Sequence, residues 1–166
     1  DNLYDDNTKF LPLHETIYSN AIRIRALRLN CLTDNYSKLW SKVWNDEYKK
    51  DEWSLKDSRL IDSYAVLSPD YRPEFAFRSD YERRMALVEL DVLAAMSIGL
   101  TLEQLQVLYS LSFFAAIQQE NDTWYDSNGR IVFTNNRALT GVGVDRKIWE
   151  TQIKPLKPGE KYKITV

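Results

Sequence analysis

Cysteine occurs once in these 166 residues, at Cys31, and histidine once, at His14. A lone cysteine excludes an internal disulfide, and one cysteine with one histidine cannot complete a zinc site of ordinary ligand type. No run of apolar residues approaches the roughly 20 needed to span a bilayer, and no basic segment followed by an apolar core reads as a signal peptide. These absences fit a cytoplasmic setting. Excess positive charge is also missing: 22 Lys and Arg stand against 24 Asp and Glu, a net charge of -2. That balance speaks against an autonomous nucleic-acid binder, which usually shows a basic face or stripe, so any contact with DNA must come from a local patch.

What is present is a globular composition, 44% apolar and 13% aromatic, in a chain of single-domain length. It starts at Asp1 without a methionine, which suggests a cut piece of a longer polypeptide.

The apolar spacing predicts a first helix over 15–32, with Ile17, Ala21, Ile24 and Cys31 on one stripe and Arg25 and Arg28 projecting into it. Thr33 or Asp34 can cap a second helix carrying Tyr36, Leu39, Trp40, Val43 and Trp44. From Asn45 to Pro73 the pattern weakens into a long irregular connection with at most short helices. Ser79-Asp-Tyr-Glu82 is a capping-box sequence that should start a helix near Asp80, running to about Ile98, where Gly99 can supply a left-handed terminus. That helix is apolar nearly all round and reads as the central buried one. Thr101-Leu-Glu-Gln104 repeats the capping logic for a helix with Leu102, Leu105, Tyr109, Phe113 and Ile117 on one side. The short link between the two predicts an antiparallel pair.

After Glu120 the period becomes that of strands. In Thr123-Trp-Tyr-Asp-Ser-Asn-Gly-Arg-Ile-Val-Phe-Thr134, Asn128-Gly129 separates two aromatic and β-branched runs, a strong local hairpin signal. A two-residue primed turn would set Trp124 opposite Phe133 and Tyr125 opposite Val132; a type I turn with a glycine bulge would shift the pairs by one. Lys161-Tyr-Lys-Ile-Thr-Val166 offers one more strand behind a Pro158-Gly159 turn. The expected fold is therefore mainly α: a helical region over 10–119 whose antiparallel core lies around 80–119 and packs on the first helix, then a C-terminal β-hairpin or small antiparallel sheet within 120–166, all in one domain.

The run Arg83-Arg-Met-Ala-Leu-Val-Glu-Leu-Asp-Val-Leu-Ala-Ala95, followed by Gly99-Leu-Thr-Leu-Glu-Gln-Leu105 and then the Trp-Tyr-Asp and Gly-Arg-Ile-Val-Phe-Thr strands, resembles the C-terminal part of large bacterial restriction-modification DNA methyltransferases. The resemblance is to the type IIG-like, single-chain enzymes that combine an adenine-specific methyltransferase with target recognition. Phe10-Leu-Pro-Leu-His-Glu15 also looks like the family's Pro-Leu-Tyr-Glu segment, with His14 in place of the tyrosine. The likeness touches residues 10–15 and about 80–147, and its argument is the order of several motifs.

The resemblance implies a non-catalytic portion of an S-adenosylmethionine-dependent enzyme, supporting DNA engagement or target recognition. The family's catalytic signature, Asn or Asp followed by Pro-Pro-Tyr or Pro-Pro-Phe, is absent from the sequence. So is a strand leading into an acidic, glycine-rich cofactor loop. No catalytic residue, metal ligand or cofactor is therefore assigned to this chain; S-adenosylmethionine belongs to the parent enzyme, and the partners implied are DNA, reached through that enzyme, and other domains of the same polypeptide. The alternative, from a different class, is a protein–protein interaction module of a phage-defence system without direct DNA contact, which suits the mild acidity and high aromatic content.

The candidate DNA contacts are Arg130, Arg137, Arg146 and Lys147 for phosphates and Trp124 and Tyr125 for stacking, against the plainer reading in which one ribbon face packs on the helices and the cations are solvated. Glu89 and Asp91, two acids on an apolar helix, admit an acid–base or cation-binding reading. Burial instead favours internal ion pairs with Arg25, Arg28 or Arg84. Asp70 with Glu82 and Arg84 only faintly resembles an acidic nuclease centre, since the lysine is missing. Gly141-Val-Gly143 lacks the third glycine and following helix of a cofactor loop. His14 has no triad partners at a telling spacing, and Cys31 reads as an inert core thiol.

Overall fold

The computed structural model describes residues 18–60, 64–113, 115, 117, 120, 123–134, 146–153 and 155. The protein is mainly helical. Helix α1 spans Ser19–Asn30, α2 Ser37–Val43, α3 Asp80–Ser97 and α4 Leu102–Ser112. Short 3₁₀ turns lie at Asp34–Tyr36, Asp46–Lys50, Tyr64–Val66 and Pro73–Phe75. Outside the described residues fall the expected start of α1 at 15–17, the 10–15 segment with His14, the 141–143 glycines, Arg137, the turn at 158–159 and the strand at 161–166.

The core forms where α1 and α2 meet the chain between them and α3. Ile24, Leu27, Leu29 and Cys31 from the first helix pack with Trp40, Tyr48, Tyr64, Leu67, Phe75, Phe77 and Ala86. Trp40 is fully enclosed and touches the rings of Trp44, Tyr71 and Phe75 at centroid distances of 6.0, 5.7 and 5.7 Å. Its indole N–H, which a buried tryptophan must satisfy, donates to the Ser68 carbonyl at 2.9 Å. The connection from Asn45 to Pro73 is as irregular as its composition predicts, yet it supplies Tyr48, Leu60, Tyr64 and Leu67 to the interior. Periodicity has no means of registering apolar residues spaced by turns.

The last carbonyls of α1, which have no intrahelical partner, are taken up by the chain entering α3. Phe77 N–H donates to Arg28 O at 3.0 Å and Arg83 Nη1 to Leu29 O at 3.0 Å. Helix α3 then starts with a full capping box: Ser79 Oγ accepts from Glu82 N–H at 3.1 Å and Glu82 Oε2 accepts from Ser79 N–H at 3.1 Å. Thr101 and Gln104 repeat the arrangement at the head of α4.

The core does not lie around 80–119, as the apolar sequence of α3 and α4 suggests. Glu82, Ala86 and Glu89 are buried along α3 and Ala95 farther on, whereas Val92, Met96 and Ile98 are exposed and α4 contains no buried residue among those described. Side-chain contacts still show the two helices running antiparallel. Tyr109 donates to Asp91, and Arg84 Nε lies 2.7 Å from Glu120 Oε1, an ion-pair distance off the hydrogen-bonding direction.

Strand structure is limited, among the described residues, to β1 at Trp124–Tyr125 and β2 at Ile131–Phe133. They pair antiparallel with Trp124 opposite Phe133 and Tyr125 opposite Ile131, the register shifting between the two pairs. So short a ladder does not amount to a sheet layer. Where strand periodicity is expected farther on, the chain instead makes a helical turn at Arg146–Ile148 and a π-helical turn at Trp149–Ile153.

The turn joining β1 to β2 closes through Gly129 N–H to Asp126 O at 3.1 Å and Asp126 N–H to Arg130 O at 2.9 Å. Asp126 Oδ1 also accepts from the amides of Asn128 and Arg130, at 2.8 and 2.9 Å. Gly129 takes φ +74°, and a β-carbon there would meet Ser79 Oγ at 2.9 Å and Tyr81 Cβ at 3.0 Å. Gly99, at φ +78°, faces open space. Both positions disfavour a side chain through the backbone alone, by about 1–2 kcal/mol. Gly129→Ala should therefore destabilise the protein by clearly more than Gly99→Ala in chemical denaturation, and Gly129→Val more again; equal losses at the two glycines would show that the close approach to α3 carries no weight.

Candidate functional site

Two constellations stand out, one buried and one at the surface. The buried one begins with Arg25, which α1 must turn inward because its neighbours Ile24 and Leu27 are core residues. Arg25 Nε donates to Glu89 Oε2 at 2.7 Å. Nη1 donates to Asp51 Oδ2 at 2.5 Å and to Ala21 O at 3.0 Å, and Nη2 to Glu52 O at 3.0 Å and Asp51 Oδ1 at 3.3 Å. All five guanidinium donors are thereby used, which a lysine ammonium could not reproduce. Glu89 is completed by Ser54, whose N–H and hydroxyl both donate to Oε1, at 2.8 and 2.6 Å. The side chains of Arg25 and Glu89 are only 5% and 8% exposed. Burial works against the charge on Arg25, but Tyr64, Asp51 and Glu89 outweigh it and leave its pKa raised.

Arg28 lies beside this cluster and turns elsewhere: Nε donates to Phe75 O at 2.7 Å, and its guanidinium sits over the rings of Phe77 and Tyr64, 4.1 and 4.7 Å from their centroids. Asp91 turns instead to Tyr109, which donates to it, and Arg25 and Arg28 are directed to Glu89 and to Phe75 O. Glu89 and Asp91 meet different environments, since residues two apart on a helix point to different sides. With Glu89 accepting three hydrogen bonds from Arg25 and Ser54 in a buried setting, the arrangement locks three segments together.

The surface constellation is the 126–130 turn seated on the head of α3. Tyr81 N–H, one of the amides left over in the first helical turn, donates to Gly129 O at 2.9 Å, and Ile131 N–H donates to Asp80 Oδ2 at 3.0 Å. The Tyr125 ring meets Tyr81 edge to face at 5.1 Å. Tyr81 in turn lies under Arg59, 3.8 Å from its guanidinium carbon, and its hydroxyl donates to Asp57 Oδ2 at 3.2 Å. The hydrogen bond from Arg59 holds the Asp57 carboxyl far below its usual range.

Of the candidate DNA contacts, Arg130 is exposed at the tip of the turn, and Trp124 and Tyr125 are half-buried. Tyr125 is committed to Tyr81, and burial pushes its phenol up. Lys147 is exposed on the 146–148 helical turn, an element separate from the tip. The Arg146 side chain and all of Arg137 lie outside the described residues. Among the described residues no three His, Cys, Asp or Glu come together as a metal site, and no helix is long and apolar enough to cross a membrane. Cys31 is a buried free thiol whose pKa burial raises.

Sequence reasoning missed Asp51, Ser54 and Tyr64, and the cluster of Asp57, Arg59 and Tyr81. Each sits in or faces the irregular connection, where no spacing rule marks a residue as inward. It also missed Val107, Leu108 and Leu111, a second apolar stripe on α4 that their i, i+1, i+4 spacing does carry.

Removing one partner of the buried pair leaves an uncompensated charge, a loss of about 3–5 kcal/mol. Glu89→Leu should show it in denaturant titration, and Arg25→Lys should lose most of the same amount despite keeping its charge. The double variant Arg25→Met/Glu89→Leu should recover a large part of the loss, because Asp51 can rehydrate. Additive losses in the double variant would contradict the pairing.

No family model, curated protein or solved structure matches this chain.

Proposed function

We propose that this chain is a non-catalytic part of a bacterial restriction-modification DNA methyltransferase of the adenine-specific, single-chain type, and that it supports DNA engagement beyond the catalytic domain. The order of the motifs in α3, α4 and the 123–134 segment is what supports this family reading. The observation that carries the role is the seating of the 126–130 turn on α3, which fixes the backbone on both sides of Arg130 while leaving that side chain exposed. A cation presented on a braced turn suits phosphate contact, which sets position and orientation on a duplex. Tyr125, already packed on Tyr81, is poorly placed to stack on an extruded base. Methyl transfer and S-adenosylmethionine binding belong to the parent enzyme, for which this sequence offers no catalytic tetrapeptide or cofactor loop. The setting implied is cytoplasmic.

A second reading, as an interaction module without DNA contact, draws on the exposed apolar side chains of α3 and α4.

Arg130→Ala in the parent enzyme should weaken DNA binding similarly across sequences and reduce the slope of log affinity against log salt by about one unit. Unchanged affinity and slope would move the function to the second reading. Calorimetric titration of the chain with S-adenosylmethionine should show no saturable binding; one-to-one binding would mean that a cofactor site lies within it.

A further inference from the structure

The 126–130 turn contains the only Asn-Gly pair in the sequence, Asn128-Gly129. In such a pair the glycine nitrogen can attack the preceding side-chain amide, because glycine has no β-carbon to shield that nitrogen. The nitrogen gives up its proton to a solvent base and bonds to Asn128 Cγ; ammonia leaves, and a cyclic imide forms. Water then opens the ring on one side or the other. Breaking the bond to Cγ leaves aspartate in an ordinary backbone, whereas breaking the bond to the main-chain carbonyl carbon leaves isoaspartate, with the β-carbon inserted into the chain.

The fold bears on the first step. Asn128 is exposed, but Gly129 is buried. Its N–H donates to Asp126 O at 3.1 Å, and it lies so close to α3 that a β-carbon would meet Ser79 Oγ at 2.9 Å and Tyr81 Cβ at 3.0 Å. Deprotonation therefore needs that hydrogen bond broken and the nitrogen brought to water. Ring closure also needs Asn128 to turn, although its own N–H is held by Asp126 Oδ1 at 2.8 Å. Both steps require the turn to leave α3, so the rate is set by the free energy of that local opening.

Isoaspartate does not fit the same seat. An added backbone atom just before Gly129 moves Gly129 O out of register with the Tyr81 N–H, from which it accepts at 2.9 Å, and Ile131 N–H out of register with Asp80 Oδ2. We propose that Asn128 is a modification site at which isoaspartate forms only when the 126–130 turn lifts from α3, and that the modification then holds the turn off the helix. Arg130 thereby loses its fixed position. The inference rests on the seating of the turn and does not depend on DNA as the ligand.

In the test the chain is aged at mildly alkaline pH, natively and in urea, and the peptide carrying Asn128 is followed by mass spectrometry, with electron-transfer fragmentation to tell isoaspartate from aspartate. Conversion should be at least about tenfold slower in the native chain, the factor that an opening cost of about 1.4 kcal/mol gives. Asp80→Ala, which removes the acceptor of Ile131 N–H, should speed conversion under native conditions with helical circular dichroism and the rate in urea unchanged. Chain converted in urea and refolded should lose hydrogen-exchange protection at the Tyr81 amide, which has no intrahelical acceptor. Asn128→Asp, with its ordinary backbone, should retain that protection. Equal rates in the two conditions, no conversion in urea, or no acceleration by Asp80→Ala would overturn the proposal. So would full protection of Tyr81 in the isoaspartate form, or equal loss of it in Asn128→Asp.

Discussion

A single guanidinium joins three segments that no local rule would bring together. Arg25 reaches from α1 to Glu89 of α3 and to Asp51 and the Glu52 carbonyl in the connection between them, with Ser54 closing the far side of Glu89. Taking these charges out of water is costly, and only the near-complete set of hydrogen bonds offsets it. The arrangement is accordingly all or nothing: a helix turned by one residue would strand a buried charge. This gives an otherwise irregular connection a fixed path. Tyr48, Tyr64 and Leu67 then find their places in the core, where apolar packing supplies most of the favourable free energy.

The head of α3 is the second point of assembly. Its capping box fixes where the helix begins, and the amide of Tyr81, left over by helical geometry, donates to Gly129 O. A turn far along the chain is thereby attached to the same helix that carries Glu89. The glycine is needed there on two counts, its positive φ and the absence of room for a β-carbon beside Ser79. Position and exposure of Arg130 follow from this seating, as does the half-burial of Tyr125.

The sequence made the helix starts legible because capping is local: Ser79 with Glu82 and Thr101 with Gln104 state their geometry within four residues. The Asn-Gly pair likewise marked its turn, although the register, set by docking on Tyr81 as well as by the turn, came out with a shift between its two pairs. The inward arginines of α1 could be read against their apolar stripe, as could Glu89. Asp91 could not be separated from Glu89 by composition, since both lie on a helix apolar nearly all round; only the partner on each side distinguishes them. For the same reason the exposed half of α3 and the whole of α4 read as core. Apolar periodicity says that a face is covered, and it is silent on whether the cover belongs to the same chain. Asp51, Ser54 and Tyr64 were illegible because they act through tertiary position within a stretch without period.

Native-state hydrogen exchange on the Glu89→Gln variant tests most directly whether Arg25 couples the three segments. Amides of α1, of 51–54 and of the first half of α3 should lose protection together and by similar free energies, while the amides of α4 keep theirs. Loss confined to the helix that carries the substitution would contradict the account, and would reduce the arginine cluster to one local contact among many.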